Sequence, residues 1–217
     1  DTTTLTIGDK FTTSGTGATI TLNATGQKII IDGADTLTGN LVGVTDGFGT
    51  IDVTGAATVA GDIGTSTSVR LGLLNIDEDF TSTGNINADA ITIKTGKDFN
   101  VNGVTKTVRG TINGEAANAN GQGLIVVNSS GNATKILTFE GEIGTTTEID
   151  QITLTTEATF EASVKADGID IAAATTGKFG GDLTIGAADL TLGDAAAVAD
   201  FNGTTTQTII GGGAAEL

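Results

Sequence analysis

An internal repeat constrains this chain more than any other feature of its 217 residues. Residues 58–69 read TVAGDIGTSTSV and residues 138–149 read TFEGEIGTTTEI, which places the second copy 80 residues after the first. A two-residue deletion then aligns residues 88–93 with residues 166–171. The match is too long to arise from biased composition alone. It predicts an architecture in which similar units pack side by side on their neighbours.

Short apolar runs recur about every ten residues between Gly, Asn, Asp and Thr, a spacing typical of many short strands. No segment has convincing helical periodicity, and the Ala-rich stretch 194–200 could make a helical turn but is too short for an independent helix. The runs that predict strands are 4–7, 18–22, 28–32, 50–54, 90–93, 124–127, 136–139, 152–154, 169–171, 183–185 and 190–192.

Composition favours the same all-β fold. The chain contains no Pro, the residue that would interrupt a ladder of backbone hydrogen bonds, and it is rich in Thr, Val and Ile, which suit a half-buried pleated surface. With 38% hydrophobic residues it can bury a core. Because there is no Cys, stability must come from burial and backbone pairing rather than from disulfides.

The repeat predicts a parallel β-helix, or β-solenoid, in which each unit comprises three or four coils of roughly 20 to 25 residues. Residues 1–217 then form a single solenoid of about nine coils, with superunits at about 50–112 and 130–190. Phe80 and Phe160 share a repeat position, so both rings are expected to be buried. The alternative is a pair of tandem β-sandwich domains with a boundary near residues 113–123.

Three segments carry a resemblance to a known family. Residues 49–55 (GTIDVTG), 58–65 (TVAGDIGT) and 136–144 (ILTFEGEIG) resemble the β-strand repeats of bacterial autotransporter passengers, particularly the rickettsial outer-membrane protein B family. The resemblance implies a parallel β-helix displayed outside the cell, for adhesion or as a coat layer. We also expect a processed or excised portion of a longer precursor, because the chain starts at Asp1 and shows no signal peptide or transmembrane stretch.

The net charge of −16 narrows the choice of partners, since it repels phosphate backbones and anionic lipids. We therefore expect no nucleic-acid partner and no direct membrane insertion. The densest acidic cluster is DED at residues 77–79, where Asp77 and Asp79 are candidate ligands for Ca²⁺. The other interpretation is a solvated acidic strand edge that discourages edge-to-edge pairing. The second repeat copy lacks the cluster at residues 157–159, so a metal site would not be repeated.

Catalysis has few candidate residues, because the chain lacks His, Cys and Tyr. We expect no enzyme, although a carbohydrate-active β-helix enzyme could work with two carboxylates. The expected function is an extracellular structural or adhesive protein (spacer, coat or adhesin) at the bacterial cell surface. The alternative is a self-assembling subunit of an extracellular fibre or surface layer. The expected partners are other copies of the chain, or a host or neighbouring cell surface.

Overall fold

The computed structural model describes residues 3–8, 11, 18–33, 35–103, 105–115, 123–128 and 136–211. The described residues form a β-solenoid of about eight coils and contain no helix, so none that could cross a membrane. The parallel solenoid is thus confirmed. The tandem sandwich is wrong, because parallel pairing continues from one side of residues 113–123 to the other, from Asp98–Asn102 to Leu124–Asn128.

The described strands are β1 Thr4–Ile7, β2 Thr19–Leu22, β3 Lys28–Ile31, β4 Asp35–Thr38, β5 Asn40–Gly43, β6 Phe48–Val53, β7 Ala57–Ala60, β8 Leu71–Ile76, β9 Phe80–Ser82, β10 Ile86–Ile93, β11 Asp98–Asn102, β12 Thr107–Gly114, β13 Leu124–Asn128, β14 Leu137–Phe139, β15 Ile149–Leu154, β16 Ala158–Phe160, β17 Val164–Ile171, β18 Thr176–Phe179, β19 Leu183–Ile185, β20 Leu190–Leu192, β21 Val198–Phe201 and β22 Ile209–Gly211.

Each coil passes through three faces, and each face is defined here by a column of inward residues that pair from coil to coil. Face 1 contains Leu5, Ile29, Ile51, Leu74, Ile91, Ile112, Ile143, Val164, Leu183 and Ile209. Face 2 contains Leu37, Val59, Ser82, Val101, Val127, Leu154, Ile171 and Leu192. Face 3 contains Ile20, Leu41, Ile63, Ile86, Val108, Phe139, Phe160, Phe179 and Phe201.

Long strands join the faces into continuous hydrogen-bonded sheets. Ten strands follow the path β1-β3-β6-β8-β10-β12-β14-β16-β18-β21, and a second sheet runs β22-β19-β17-β15-β13-β11-β9-β7-β4 with β20 also pairing β17. The first path passes from face 1 to face 3 because β10 and β12 bend around the corner between them. The bend in β10 coincides with a register shift between Asn87 and Ala90. β2 and β5 form a separate pair on face 3.

The core fills because side chains alternate in and out along each strand. In β6, Ile51 and Val53 are completely buried while the residues between them are half-buried. Aromatic rings stack within the columns: the Phe139 and Phe160 centroids are 5.1 Å apart, and those of Phe160 and Phe179 are 5.2 Å apart. The solenoid therefore has one continuous apolar core along its axis.

The 80-residue repeat advances the chain by one face, so its two copies are not stacked on each other. Leu74 belongs to face 1 and Leu154 to face 2. Phe80 lies on face 2, where it stacks on Phe99, whereas Phe160 lies on face 3. Both rings are buried, as the sequence predicts. What the repeat preserves is the local structure of a corner, and similar corners serve different faces.

The corner glycines show why the repeated motif keeps its local form. Gly64 and Gly144 have φ angles of 69° and 71°, which lie in the left-handed region that favours glycine. A Cβ added to Gly144 would lie 1.9 Å from the carbonyl oxygen of Lys165 in the next coil. Gly84 is packed equally closely, because a Cβ there would lie 2.0 Å from the carbonyl oxygen of Gly61 in the preceding coil. Glycine at these corners lets coils stack at strand spacing.

The strand expectations hold for every run named above, since each overlaps an observed strand. Within the Ala-rich stretch 194–200, Ala195 and Ala196 form a single turn closed by a hydrogen bond from the N–H of Ala197 to the carbonyl of Asp194; no helix follows, and β21 begins at Val198. The Asp194 carboxylate accepts hydrogen bonds from the N–H groups of Ala174 and Ala196 and holds the bend before β21. The small polar residues and closely spaced glycines of the loop 115–123 predict a mobile or protruding connection, and residues 116–122 of this loop lie outside the described residues.

Candidate functional site

Acidic and amide side chains at the corners bind the backbone of the next coil. At the corner between faces 2 and 3, Asn40 Oδ1 accepts a hydrogen bond from the N–H of Asp62 at 2.9 Å. Asp62 Oδ1 in turn accepts one from the N–H of Asn85 at 2.7 Å, and Asn85 Oδ1 one from the N–H of Thr107 at 3.1 Å. Carboxylates that accept backbone N–H groups make strong, charge-assisted bonds. Part of the acidic excess therefore has a structural role.

The candidate calcium ligands Asp77 and Asp79 lie at the corner between β8 and β9. Asp79 is exposed and its Oδ1 accepts a hydrogen bond from the N–H of Asp98, at 3.1 Å, in the next coil. Glu78 between them forms an ion pair with Lys97. Within the described residues, no three His, Cys, Asp or Glu side chains converge as a metal site would require. The arrangement accounts for Asp79 as an inter-coil cap, and calcium binding there stays a prediction.

The surroundings at this corner change the pKa values of two side chains, Asp98 and Lys97. Burial, together with the negative charge of Asp79, raises the pKa of Asp98 above its ordinary value. The hydrogen bond to Glu78 raises the pKa of Lys97. The stacked acidic residues therefore repel one another, and a cation, here Lys97, partly offsets that repulsion.

A shallow cleft of about 270 Å³ brings together the two arginines of the chain, Arg70 and Arg109. Arg109 binds Glu140 of the next coil through two N–H groups, Nε to Oε2 at 2.5 Å and Nη2 to Oε1 at 2.7 Å. Its Nη1 also donates to Asn87 Oδ1 of the preceding coil at 3.0 Å. Arg70 Nη2 lies 2.9 Å from Asp89 Oδ1. Each guanidinium thus faces a carboxylate across the cleft.

This pairing makes the cleft an inter-coil clamp. Arg109 connects three successive coils, because Asn87, Arg109 and Glu140 occupy consecutive layers. The N–H of Arg70 donates to Asp46 Oδ1, at 2.9 Å, and lowers the pKa of Asp46. Ion pairs this exposed contribute about 0.2–1 kcal/mol each. Composition could not reveal the cleft, since only the coil register brings the two arginines together.

Face 2 differs from the other two faces in the chemistry of its outer surface. We call two of its outward columns the threonine face, and from Thr36 to Thr155 these two columns hold Thr, Asn, Ala and Val. The next coil places Asp170 in the first of them, and Asp79 and Asp98 lie in the outward column beside it. The first column is Thr36, Thr58, Thr81, Asn100, Val126 and Thr153. The second column, two residues further along each strand, is Thr38, Ala60, Thr83, Asn102, Asn128 and Thr155.

Ion pairs lie on the other two faces, while face 2 carries the single charges of Asp98 and Asp170. Face 1 carries the Lys28–Asp52 pair, with Nζ and Oδ2 2.5 Å apart. Face 3 carries the Arg109–Glu140 pair and Lys178, which pairs with Glu157 at a neighbouring corner. In a chain with a net charge of −16, the two columns of the threonine face are uncharged from Thr36 to Thr155 and are bordered by the carboxylates of Asp98 and Asp170.

The first and last described coils expose apolar side chains at open strand edges. In the first coil, Leu5 is 44% exposed. In the last coil, Leu192 is 47%, Ile209 45% and Ile210 52% exposed. The columns of Leu5, Leu192 and Ile209 are buried in the middle of the solenoid, as at Ile91, which is 1% exposed. Ile210 instead continues the outward column of Lys165 and Thr184. In the described part of the chain, β1, β20 and β22 each pair with one strand only.

Comparisons with known proteins add no identification to this geometry. The resemblance to autotransporter passengers therefore stays a prediction. No protein-family model, no curated protein and no solved structure matches this chain.

Proposed function

We propose that this chain is an extracellular structural or adhesive protein of a bacterial surface, with its function spread over the faces of the solenoid. The observation that carries the proposal is the uninterrupted stacking of about eight coils around one apolar core. At about 4.8 Å per coil, the stack extends about 40 Å and presents long, regular side-chain columns to its surroundings. Such a body suits a spacer, coat or adhesin, in which repeated weak contacts add together.

The capping network supports this role because it makes the body stiff. Side chains at the corners bind backbone groups of the next coil, as Asp62 does for Asn85 and Asp182 for Thr208. The ring columns add stacked contacts along the axis. A rigid support holds surface residues in fixed relative positions, which reduces the entropy lost on binding.

Two measurements test the placement and the role. Antibodies against the purified protein should label intact, unpermeabilised cells of the source organism. Beads coated with the protein should adhere to host cells or to sibling bacteria more than beads coated with heat-unfolded protein do. Labelling that requires permeabilised cells would contradict the surface assignment, and equal adhesion of the two bead preparations would contradict the adhesive role.

A second candidate, a self-assembling subunit of a fibre or surface layer, is favoured by the open edges at the ends. β22 exposes Ile209 and Ile210, and β1 exposes Leu5, and among the described residues each of these strands has a ladder partner on one side only. Pairing of such edges between copies extends a solenoid without new chemistry. The charge of −16 opposes close approach of copies, so assembly should be stronger in salt.

Size-exclusion chromatography with light scattering, followed by electron microscopy, separates the two candidates. A subunit forms ordered polymers on its own, whereas a spacer or adhesin stays monomeric. Ile209→Lys should abolish polymers, because it places a charge in an inward column at the open edge of the last described coil. Val44→Lys is the matched control, since Val44 is 56% exposed but lies inside the stack, where its N–H donates to the carbonyl of Leu22 in the first described coil. Equal loss of polymers in both variants would contradict pairing through the ends.

A further inference from the structure

The sharpest corner of the solenoid changes position along the chain. In the first half it joins faces 2 and 3, where the inward residues Val59 and Ile63 are four residues apart in the sequence. In the second half it joins faces 3 and 1, where Phe160 and Val164 are also four residues apart. The later coils therefore have the cross-section of the earlier coils turned by one face.

The residues that build the sharp corner move with it. Residues 61–62 and residues 181–182 are both Gly-Asp, and each pair directly precedes an inward residue of the corner. In both cases the Asp Oδ1 accepts a hydrogen bond from the backbone N–H of the residue opposite it in the next coil, Asn85 at 2.7 Å and Thr208 at 2.8 Å. The two halves of the solenoid thus carry the same corner on different faces.

The path of the chain makes the same one-face step at its last described strand. Within a coil the chain passes from face 1 to face 2 and then to face 3, as at Ile29, Leu37 and Leu41. β20 lies on face 2, β21 on face 3 and β22 on face 1, so the next strand belongs on face 2, over Leu192. β1 of a second copy continues this path when that copy is turned by one face. Its faces 1, 2 and 3 then lie over faces 2, 3 and 1 of the first copy.

This placement continues the phenylalanine column. Phe11 lies opposite Leu37 in the face 2 column, because its carbonyl oxygen accepts the N–H of Thr38 at 3.0 Å in parallel pairing. Its ring is 36% exposed. At the other end, the partly buried Phe201 is the last ring of the face 3 column, 5.5 Å from Phe179. In a copy turned by one face, Phe11 lies over Phe201 and adds one more stacked ring.

The other apolar side chains of the two ends match in the same placement. Leu5 covers Leu192, and Ile20 covers Ile209. The described part of the first coil, residues 3–8, 11 and 18–27, carries no charged side chain, and neither do residues 201–211. Among the described residues, repulsion between copies of net charge −16 is therefore weak where these segments meet.

We propose that copies of this chain join end to end, each turned by one face relative to the copy before it. The first coil of one copy covers the last coil of another, and this head-to-tail contact leaves both outer ends open for further copies. Parallel strand pairing and the extended phenylalanine column stabilise the contact. The inference rests on the second candidate function, self-assembly, and specifies the surface and the register through which it occurs.

Disulfide crosslinking between copies measures this register, since the chain has no Cys. In the turned register Thr4 of one copy lies beside Thr191 of another, at the strand spacing of about 4.8 Å, which a disulfide bridges. In the unturned register, with face 1 over face 1, Thr4 lies beside Thr208 instead. All three threonines are exposed. Thr4 is in the first described coil and the other two are in the last coils, so either disulfide must join two copies.

Under mild oxidation in salt, Thr4→Cys/Thr191→Cys should give a ladder of disulfide-linked oligomers on a non-reducing gel, and Thr4→Cys/Thr208→Cys should run as a monomer. Phe11→Ala should raise the protein concentration needed for assembly about tenfold, because one stacked aromatic pair is lost. The control Val44→Ala, at an exposed position inside the stack, should leave that concentration unchanged. Far-UV circular dichroism establishes that each variant is folded.

Two results would overturn the proposal in different ways. Polymers that crosslink through position 208, or that form equally well in Phe11→Ala, would refute the turned register and leave self-assembly standing. A native chain that stays monomeric at every salt and protein concentration would refute both the register and the second candidate function.

Discussion

Truncation of Phe160 tests how much the aromatic column contributes to stability. The ring is 1% exposed and lies between Phe139 at 5.1 Å and Phe179 at 5.2 Å. A buried Phe→Ala change costs about 3–5 kcal/mol, and an aromatic pair adds about 0.5–1.5 kcal/mol to simple area burial. With a ring on each side, Phe160→Ala should destabilise the protein by about 5 kcal/mol.

Two comparisons make the reasoning refutable. Phe80 has a single stacked neighbour, Phe99 at 6.0 Å, so Phe80→Ala should cost about 3–4 kcal/mol. Phe201 ends its column half-exposed, with Phe179 at 5.5 Å, so Phe201→Ala should cost roughly 1–2 kcal/mol. Urea denaturation followed by far-UV circular dichroism gives the free energy of unfolding, with the slope m checked for cooperativity. A loss below about 1 kcal/mol at Phe160, or no graded order among the three variants, would refute the argument.

Three further predictions use the corners. Gly84→Ala should lower the melting temperature strongly, because its Cβ would lie 2.0 Å from a carbonyl oxygen of the preceding coil. The control Gly96→Ala, whose Cβ would have nothing within 4 Å, should cost only about 1–2 kcal/mol for its left-handed backbone. Similar losses of stability in the two variants would contradict the tight stacking. Asp98→Asn should raise stability at neutral pH, because the raised pKa of Asp98 in the folded state means that its ionised form opposes folding. Protonation at low pH relieves that penalty, so thermal melts should show the extra stability of the variant disappearing in acid. Extra stability that is unchanged in acid would contradict the direction of the pKa shift. Millimolar Ca²⁺ should raise the melting temperature more than NaCl of matched ionic strength, and this additional rise should be lost in Asp77→Asn/Asp79→Asn. Equal effects of Ca²⁺ and NaCl would show that charge screening alone stabilises the protein. An additional rise that persists in the double variant would exclude Asp77 and Asp79 as the ligands.

The sequence predicted several of the strands in which both inward positions are large and apolar, although β8 and β11 have the same form and no predicted run covers them. β3, β13 and β19 have that form, and their runs predict them. β18, with the sequence TGKF, and β16, with the sequence ATF, were missed because their first inward position is Gly177 or Ala158. Small residues there make room for the rings of the neighbouring layers, so they are determined by packing that the local pattern does not contain.

The repeat predicted a solenoid but could not give its faces. Local similarity between residues 58–69 and 138–149 reflects a shared corner, and the face that a corner serves depends on how many residues each preceding coil contains. That count determines which side chains are neighbours. Thr58 and Thr81 are ordinary members of a Thr-rich chain until the register pairs them, and Arg70 and Arg109 meet in one cleft for the same reason.

The register of face 2 is the most direct test of this account, and the absence of Cys from the chain makes it accessible. Thr58 and Thr81 are paired in neighbouring coils, so their Cα atoms lie about 4.8 Å apart, within the range that a disulfide bridges. Asn100 lies one coil further, at about 9.6 Å from Thr58, which is beyond that range. Under mild oxidation, Thr58→Cys/Thr81→Cys should form an intramolecular disulfide and Thr58→Cys/Asn100→Cys should remain reduced. A disulfide in the second variant but not in the first would contradict the three-faced parallel solenoid.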